Sequence, residues 1–331
     1  MPYFPAPIYL NECTGGDPLI DCRRGKDRGA ASLRIPAIGT NMMRTARQLS
    51  YRAAWGCAAA FGVALWAAPS SAITPKPITD LAPHRAVYEM TLGDSRSGST
   101  VSGLRGRMVF EFSGNECDGY TVNMRLVTRI TDRSGRAMVS DLRSSTWEGG
   151  DAEKFRFNSS QYVNQKLNEA ARGSASRDEG GKQIVVSVEK PKEEKLELPG
   201  SVMFPAQHAR AILQAAMKGR QVLNAELYEG SDKGVKVYRT TAFIGKELPP
   251  GADKKLEKVE NGDVLEKLQS WPISVGYYDD NGAAEEMPSY ELGYRYYANG
   301  VSRRLTIDYG DFSIQGELRS IEFLNQDACK R

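Results

Sequence analysis

From residue 84 onward the chain runs in short stretches where apolar and polar side chains alternate, broken at close intervals by Gly, Asn, Asp or Pro. Side chains of a strand point alternately to opposite faces, so this pattern predicts half-buried antiparallel β-structure. Tyr120 to Ile130 is the clearest case: Tyr120, Val122, Met124, Leu126 and Ile130 share one face, and Thr121, Asn123, Arg125 and Arg129 the other. Asp118-Gly119 before it and Asp132-Arg133-Ser134-Gly135 after it are turn sequences, because Gly supplies positive φ and Asp bonds its own backbone. Further strands are expected at Arg85–Leu92, Arg105–Phe112, Met138–Trp147, Glu153–Asn158, Ile184–Glu189, Gln221–Tyr228 and Val235–Ile244. Toward the C-terminus Ser270–Tyr278, Ser289–Tyr297, Val301–Tyr309 and Phe312–Phe323 are separated by Asn281-Gly282, Asn299-Gly300 and Gly310-Asp311, which predicts a meander.

One segment reads as helix. Pro205 to Lys218 starts on Pro, is followed by Gly219, and carries Ala209, Ile212, Leu213, Ala216 and Met217 at helical spacing. A lone helix in a β chain must bury that stripe against the sheet, so a curved sheet enclosing it is expected. Glu169–Lys182 and Glu247–Asp263, polar and rich in turn formers, read as solvated loops.

A different pattern precedes these strands. Arg44, Arg47 and Arg52, the apolar run Ala53–Ala68 and the small residues Ser70-Ser71-Ala72 make residues 42–72 a secretory signal peptide. Residues 1–41 are expected to be an upstream start-site artefact, and 73–331 to be one domain. The apolar run falls short of the ~20 residues of a membrane span, so the mature chain is expected not to span a membrane. Cys57 reads as a passive residue of the run. Cys13, Cys22 and Cys57 then leave with the leader, and Cys117 and Cys329 remain in a compartment where disulfides persist, which predicts one bridge between them. Removing eight basic and four acidic residues with the leader turns +3 into 36 basic against 37 acidic, close to neutral, and no nucleic-acid partner is expected.

Catalytic templates find little purchase. The mature chain holds only His84 and His208, and contains no Gly-x-Ser-x-Gly elbow, Cys-x-x-Cys pair, His-Glu-x-x-His motif or Gly-rich phosphate loop. No metal or cofactor is expected, and Asp279-Asp280-Asn281-Gly282 reads as a turn. Asp279, Glu285, Glu286 and Glu291 are formal candidates for a glycan-cleaving carboxylate pair. The C-terminal aromatics are the remaining feature: Trp271, Tyr277, Tyr290, Tyr294 and Tyr296 either fill the edge of a core or present a surface to a ligand or partner.

The order of these features resembles the EipB-like cell-envelope-integrity family: Asp80-Leu81-Ala82-Pro83-His84-Arg85-Ala86-Val87-Tyr88 after a signal peptide, then Gly106–Glu111, Cys117-Asp118-Gly119-Tyr120, a helix after Phe204-Pro205, and a terminal Cys329. The resemblance implies a periplasmic protein whose long antiparallel sheet winds as a β-spiral, an open barrel-like form, around one central helix, with Cys117 and Cys329 at the family's disulfide positions. It implies a non-enzymatic role in envelope integrity and a periplasmic tetratricopeptide-repeat partner. The overall shape is similar to the lipoprotein carriers LolA and LolB, so a carrier holding a lipid or lipoprotein acyl chain in the concave face is the alternative expectation.

Overall fold

The computed structural model describes residues 81–252, 256–279, 287–325 and 329. The leader at 42–72, residues 1–41, and Asp280, Glu285 and Glu286 lie outside the described residues. The chain forms β1 (His84–Ser95), β2 (Val101–Asn115), β3 (Gly119–Asp132), β4 (Ala137–Glu148), β5 (Lys154–Val163), β6 (Lys166–Arg177), β7 (Gln183–Lys190) and β8 (Glu194–Pro199), then α1 (Pro205–Met217). After the helix come β9 (Val222–Tyr228), β10 (Val237–Ile244), β11 (Ser270–Asp279), β12 (Tyr290–Tyr297), β13 (Ser302–Asp308) and β14 (Phe312–Phe323). All fourteen strands belong to one antiparallel sheet in the order β8 to β1, then β14 down to β9. Each half is therefore a meander, and β1 beside β14 joins them.

The sheet does not close, since β8 and β9 are its two edges. It winds until its ends overlap. The Tyr228 ring of β9 meets Phe155 and Phe157 of β5 edge-on at 6.1 and 5.9 Å. Just beyond β9, a Cβ on Gly230 or Gly234 would lie 2.3 or 3.0 Å from the Phe157 ring, so both positions must be bare. Ala171, Ala175, Ile184, Val186, Phe204 and Tyr228 complete this small core at the overlap. The larger core lies inside the remaining strands, around α1.

The helix follows from its sequence. Pro205 occupies its first turn, and Gly219 takes φ +68 just past its end, a left-handed conformation that favours glycine. Ala206, Ala209, Ile212, Leu213 and Ala216 are buried, and Ile212 and Leu213 each contribute roughly 1.5–3 kcal/mol by leaving water.

Three expectations need correction. Lys166–Arg177 overlaps the segment read as loop and is strand β6. Its inward residues are Ala171, Gly173 and Ala175, small because the Phe157 ring occupies the space: a Cβ on Gly173 would lie 2.6 Å from it. The period of two is present but written in side chains too small to register as hydrophobic. Glu194–Pro199, given no element, is edge strand β8, with Leu196 and Leu198 half-buried between charges. The described part of 247–263 is not simply solvated either. Val259 is buried, the Glu260 N–H donates to the Arg319 carbonyl at 2.9 Å, and Ile321 N–H returns a bond of 3.0 Å, fastening the segment along β14.

Candidate interaction surface

The interior offers little room. Trp271, Tyr277, Tyr290, Tyr294 and Tyr296 are each at most 5 % exposed and belong to the main core, so they form no surface for a partner. Tyr277 stacks on Tyr290 at 4.3 Å, Tyr238 meets Tyr277 edge-on at 5.6 Å, and the Tyr296 hydroxyl donates to the Ala209 carbonyl of α1 at 3.4 Å. The cavity between α1 and β1, bordered by Leu81, Tyr88, Phe112, Ala206, Tyr296 and Leu305, measures ≈30 Å³. That accommodates an ordered water or two, whereas ligand pockets run to roughly 300–1,000 Å³. This cavity, narrowed by α1, lacks the volume of an acyl-chain site, which weighs against the carrier expectation.

Buried polar groups around α1 are structural. Phe204, at the N-cap, has no side-chain acceptor, so Glu148 at the end of β4 serves instead: the Ala206 and Gln207 N–H groups donate to its carboxylate at 2.6 and 2.8 Å. Burial pushes Glu148 up to about 7 in spite of these bonds. The Thr240 hydroxyl donates to the Ala225 carbonyl, so His208 Nε2–H donates to Thr240 Oγ1 at 3.0 Å and leaves Nδ1 as a buried lone pair without a partner. Burial drives His208 down to about 3 and lowers His84, whose Nδ1 lies 2.7 Å from the Ala82 carbonyl. Both histidines are neutral packing residues. Glu229 is likewise pushed up to about 7 by burial. Of the carboxylate candidates, Asp279 pairs with Lys236 at 2.7 Å and accepts from Ser289 at 2.6 Å, and Glu291 accepts from Ser274 at 2.5 Å. Among the described residues no group of His, Cys, Asp and Glu is arranged to hold a metal, and no helix is long and apolar enough to cross a membrane.

The chemistry collects on the outer face of β1–β6. Strand pairing places side chains in rows: Arg85–Glu111–Asn123–Ser145–Asn158–Arg172 in one, Val109–Arg125–Arg143–Ser160 in the next, and Thr91–Arg105–Arg129–Val139 at the far end. Arg125 and Arg143, directly opposed, share Asp141, which accepts from them at 2.9 and 2.7 Å. These bonds, Arg125 first, hold Asp141 down at about 2. At the near end Trp147 stands opposite Arg156, whose guanidinium lies 5.2 Å over the indole, and Arg143 lies 5.1 Å over Tyr162. Trp147, Arg156, Asn158, Arg172, Ser174 and Glu189 border a groove of ≈520 Å³. Arginine stacked on a half-exposed Trp or Tyr is the composition of an interface anchor. The signal for this face was in the sequence, in the arginines at the polar positions of consecutive strands. Aromatic density, by contrast, marks the core here.

Cys117, in the β2–β3 turn, is disulfide-bonded to Cys329, with Cα atoms 5.8 Å apart. Asn115 Oδ1 accepts from Cys117 N–H and Asp118 N–H at 2.8 and 2.9 Å, fixing the turn that presents the cysteine.

Comparison with known proteins agrees with this architecture. The model of the EipB-like family matches residues 75–325. The cell envelope integrity protein EipB of Brucella abortus (strain 2308) is 36% identical over 275 residues, spanning 81% of this chain and 95% of the relative. The crystal structure of a beta-barrel-like protein of a domain of unknown function, DUF1849, also from Brucella abortus, superposes with a TM-score of 0.68 at 36% identity, covering 74% of this chain and 99% of that one.

Proposed function

We propose, from the premise that this chain belongs to the EipB-like family, that it maintains cell-envelope integrity as a non-enzymatic periplasmic protein acting through protein contacts. The relative's name supplies the envelope role, and the leader pattern at 42–72 supports the compartment. The observation that carries the mechanism is the contrast between a core filled by α1 and an outer face where Trp147, Arg156 and Arg172 border an open groove. A periplasmic tetratricopeptide-repeat protein is the partner we assign to that groove. Its superhelical concave surface would bring acidic side chains to Arg156 and Arg172 and a pocket to Trp147.

The test is site-specific photocrosslinking in the periplasm. A crosslinker at Asn158, inside the groove, is expected to trap one dominant tetratricopeptide-repeat protein, and one at Glu291, on β12, is not. Trp147→Ala with Arg156→Ala should abolish the crosslink, and both the double variant and deletion of the gene are expected to sensitise cells to envelope stress. Equal crosslinking at both positions, or full envelope resistance in the double variant, would refute the reading.

A further inference from the structure

The far end of the same face carries a second feature that the partner groove does not use. Arg105 on β2 and Arg129 on β3 are register partners, both exposed, so their side chains leave the sheet next to each other on the solvent face. Like charges directly opposed across strands cost stability unless an anion joins them. Arg125 and Arg143, the comparable pair one strand over, have Asp141 between them. Arg105 and Arg129 have no ion pair among the described residues. Between them opens a groove of ≈390 Å³ to which Thr91, Ser102, Gly103 and Thr131 also contribute, and no carboxylate borders it. Its depth has a local cause. The β2–β3 register slips between Val101 and Gly103, a bulge that often re-aims side chains at binding sites. Gly103 then stands on the outward row beside Arg105 without a side chain, the nearest atom to its missing Cβ being Thr131 Cβ at 3.6 Å.

We propose that this groove is a phosphate-binding site, in which Arg105 and Arg129 each hold two oxygens of one phosphate group and the Thr91 hydroxyl donates to a third. A carboxylate can also join two guanidinium groups, as Asp141 does for Arg125 and Arg143, but only in one plane and with a single charge, whereas phosphate brings a tetrahedral set of oxygens and up to two charges. A tetrahedral phosphate has enough acceptor oxygens to bridge two forks. The site would take the phosphate of a lipid headgroup or of a soluble phosphorylated compound. It is independent of the partner groove, which lies at the opposite end of the strands.

The experiment uses the mature protein and its Arg105→Gln, Arg129→Gln and double variants, with Arg172→Gln as a control for net charge on the same face. Inorganic phosphate is titrated while the arginine Nε–H signals are followed by NMR, with acetate titrated in parallel. Phosphate should move the Arg105 and Arg129 signals together and bind about tenfold more tightly than acetate, each single glutamine variant should weaken it about tenfold, and Arg172→Gln should leave it unchanged. In the second arm the protein is floated with phosphatidylcholine vesicles with and without phosphatidic acid. Flotation on the acidic vesicles that disappears in the double variant identifies a lipid headgroup as the source, and phosphate binding without flotation identifies a soluble one. Equal affinity for acetate and phosphate, an equal loss in Arg172→Gln, or no response of Arg105 and Arg129 to phosphate would overturn the proposal.

Discussion

Glu148 ties the start of α1 to the sheet through a single side chain. Its carboxylate is the acceptor for two backbone N–H groups at the start of α1, at 2.6 and 2.8 Å, and it comes from a strand 58 positions earlier in sequence than the first of them. In Glu148→Ala both donors lose their partner. The Ala206 N–H lies in the core and Phe204 has no side chain to replace the acceptor. A buried donor left unsatisfied costs roughly 1–3 kcal/mol, so the pair should cost about 3 kcal/mol after allowing for the released burden of a buried carboxyl. In a domain of this size that lowers the melting temperature by roughly 6–12 °C. Glu148→Gln keeps one carbonyl acceptor and should lose about half as much. Chemical unfolding followed by circular dichroism, disulfide intact, measures both. A loss below about 1 kcal/mol in Glu148→Ala would refute the tertiary cap. The pH dependence provides a second check. Burial raises the folded pKa to about 7 from an ordinary 4.5, so between these values the native state holds more protons than the unfolded chain. The stability linked to Glu148 is therefore full below 4.5 and lost as pH rises through about 7, and the gap between wild type and Glu148→Gln should narrow over that window.

Other expectations follow from the same geometry. The Cys117–Cys329 bridge spans a sequence separation of 212, for which the loop-entropy model gives about 5 kcal/mol; Cys117→Ser, or reductant on the wild type, should lower the urea midpoint, and an unchanged midpoint would show that the bridge adds nothing. Gly173→Val drives a side chain into the Phe157 ring and the Ser187 carbonyl, 2.6 and 2.5 Å from the Cβ position, and should cost about 2 kcal/mol or more in the same assay. His208 refuses its proton until about pH 3, whereas the unfolded residue takes it near 6.5, so its share of stability is present above 6.5 and lost as pH falls toward 3. In His208→Gln that part of the acid slope should vanish; an acid slope identical to wild type would show that His208 is not the group responsible.

How much of this was legible in the sequence depended on side-chain size. Strands whose inward residues are large, such as Tyr120, Met124 and Leu126 on β3, announce themselves by period two, and Asn-Gly or Asp-Gly turns fix their order. The helix was visible because a stripe of apolar residues sat between Pro205 and Gly219. Strand β6 was hidden because Ala171, Gly173 and Ala175 satisfy the same geometric rule with almost no apolar surface, the surface being supplied by Phe155 and Phe157 across the pair. The tertiary cap was hidden for a different reason: Glu148 ends a strand as any solvated acid would, and only the winding of the sheet brings it to α1. The aromatic density at the C-terminus misled as a surface signal because half of the sheet must cover one slender, Ala-rich helix, and large rings bridge that distance.

The open sheet constrains where the proposed partner would bind. Unpaired strand edges invite a further strand, yet both edges here are defended. Strand β8 is short, carries exposed Glu194, Lys195 and Glu197, and ends on Pro199. Strand β9 is partly occupied on its free side by Met203, whose N–H donates to Glu226 and whose carbonyl accepts from Tyr228, each at 2.9 Å or less. The overlap of Tyr228 with Phe155 and Phe157 then holds the two ends together without a ladder between them. With the concave side filled by α1 and both edges blunted, both proposals rest on the convex face. There the arginine rows divide into a half neutralised by Asp141 and Glu111 and a half, at Arg105 and Arg129, whose charge is met from outside.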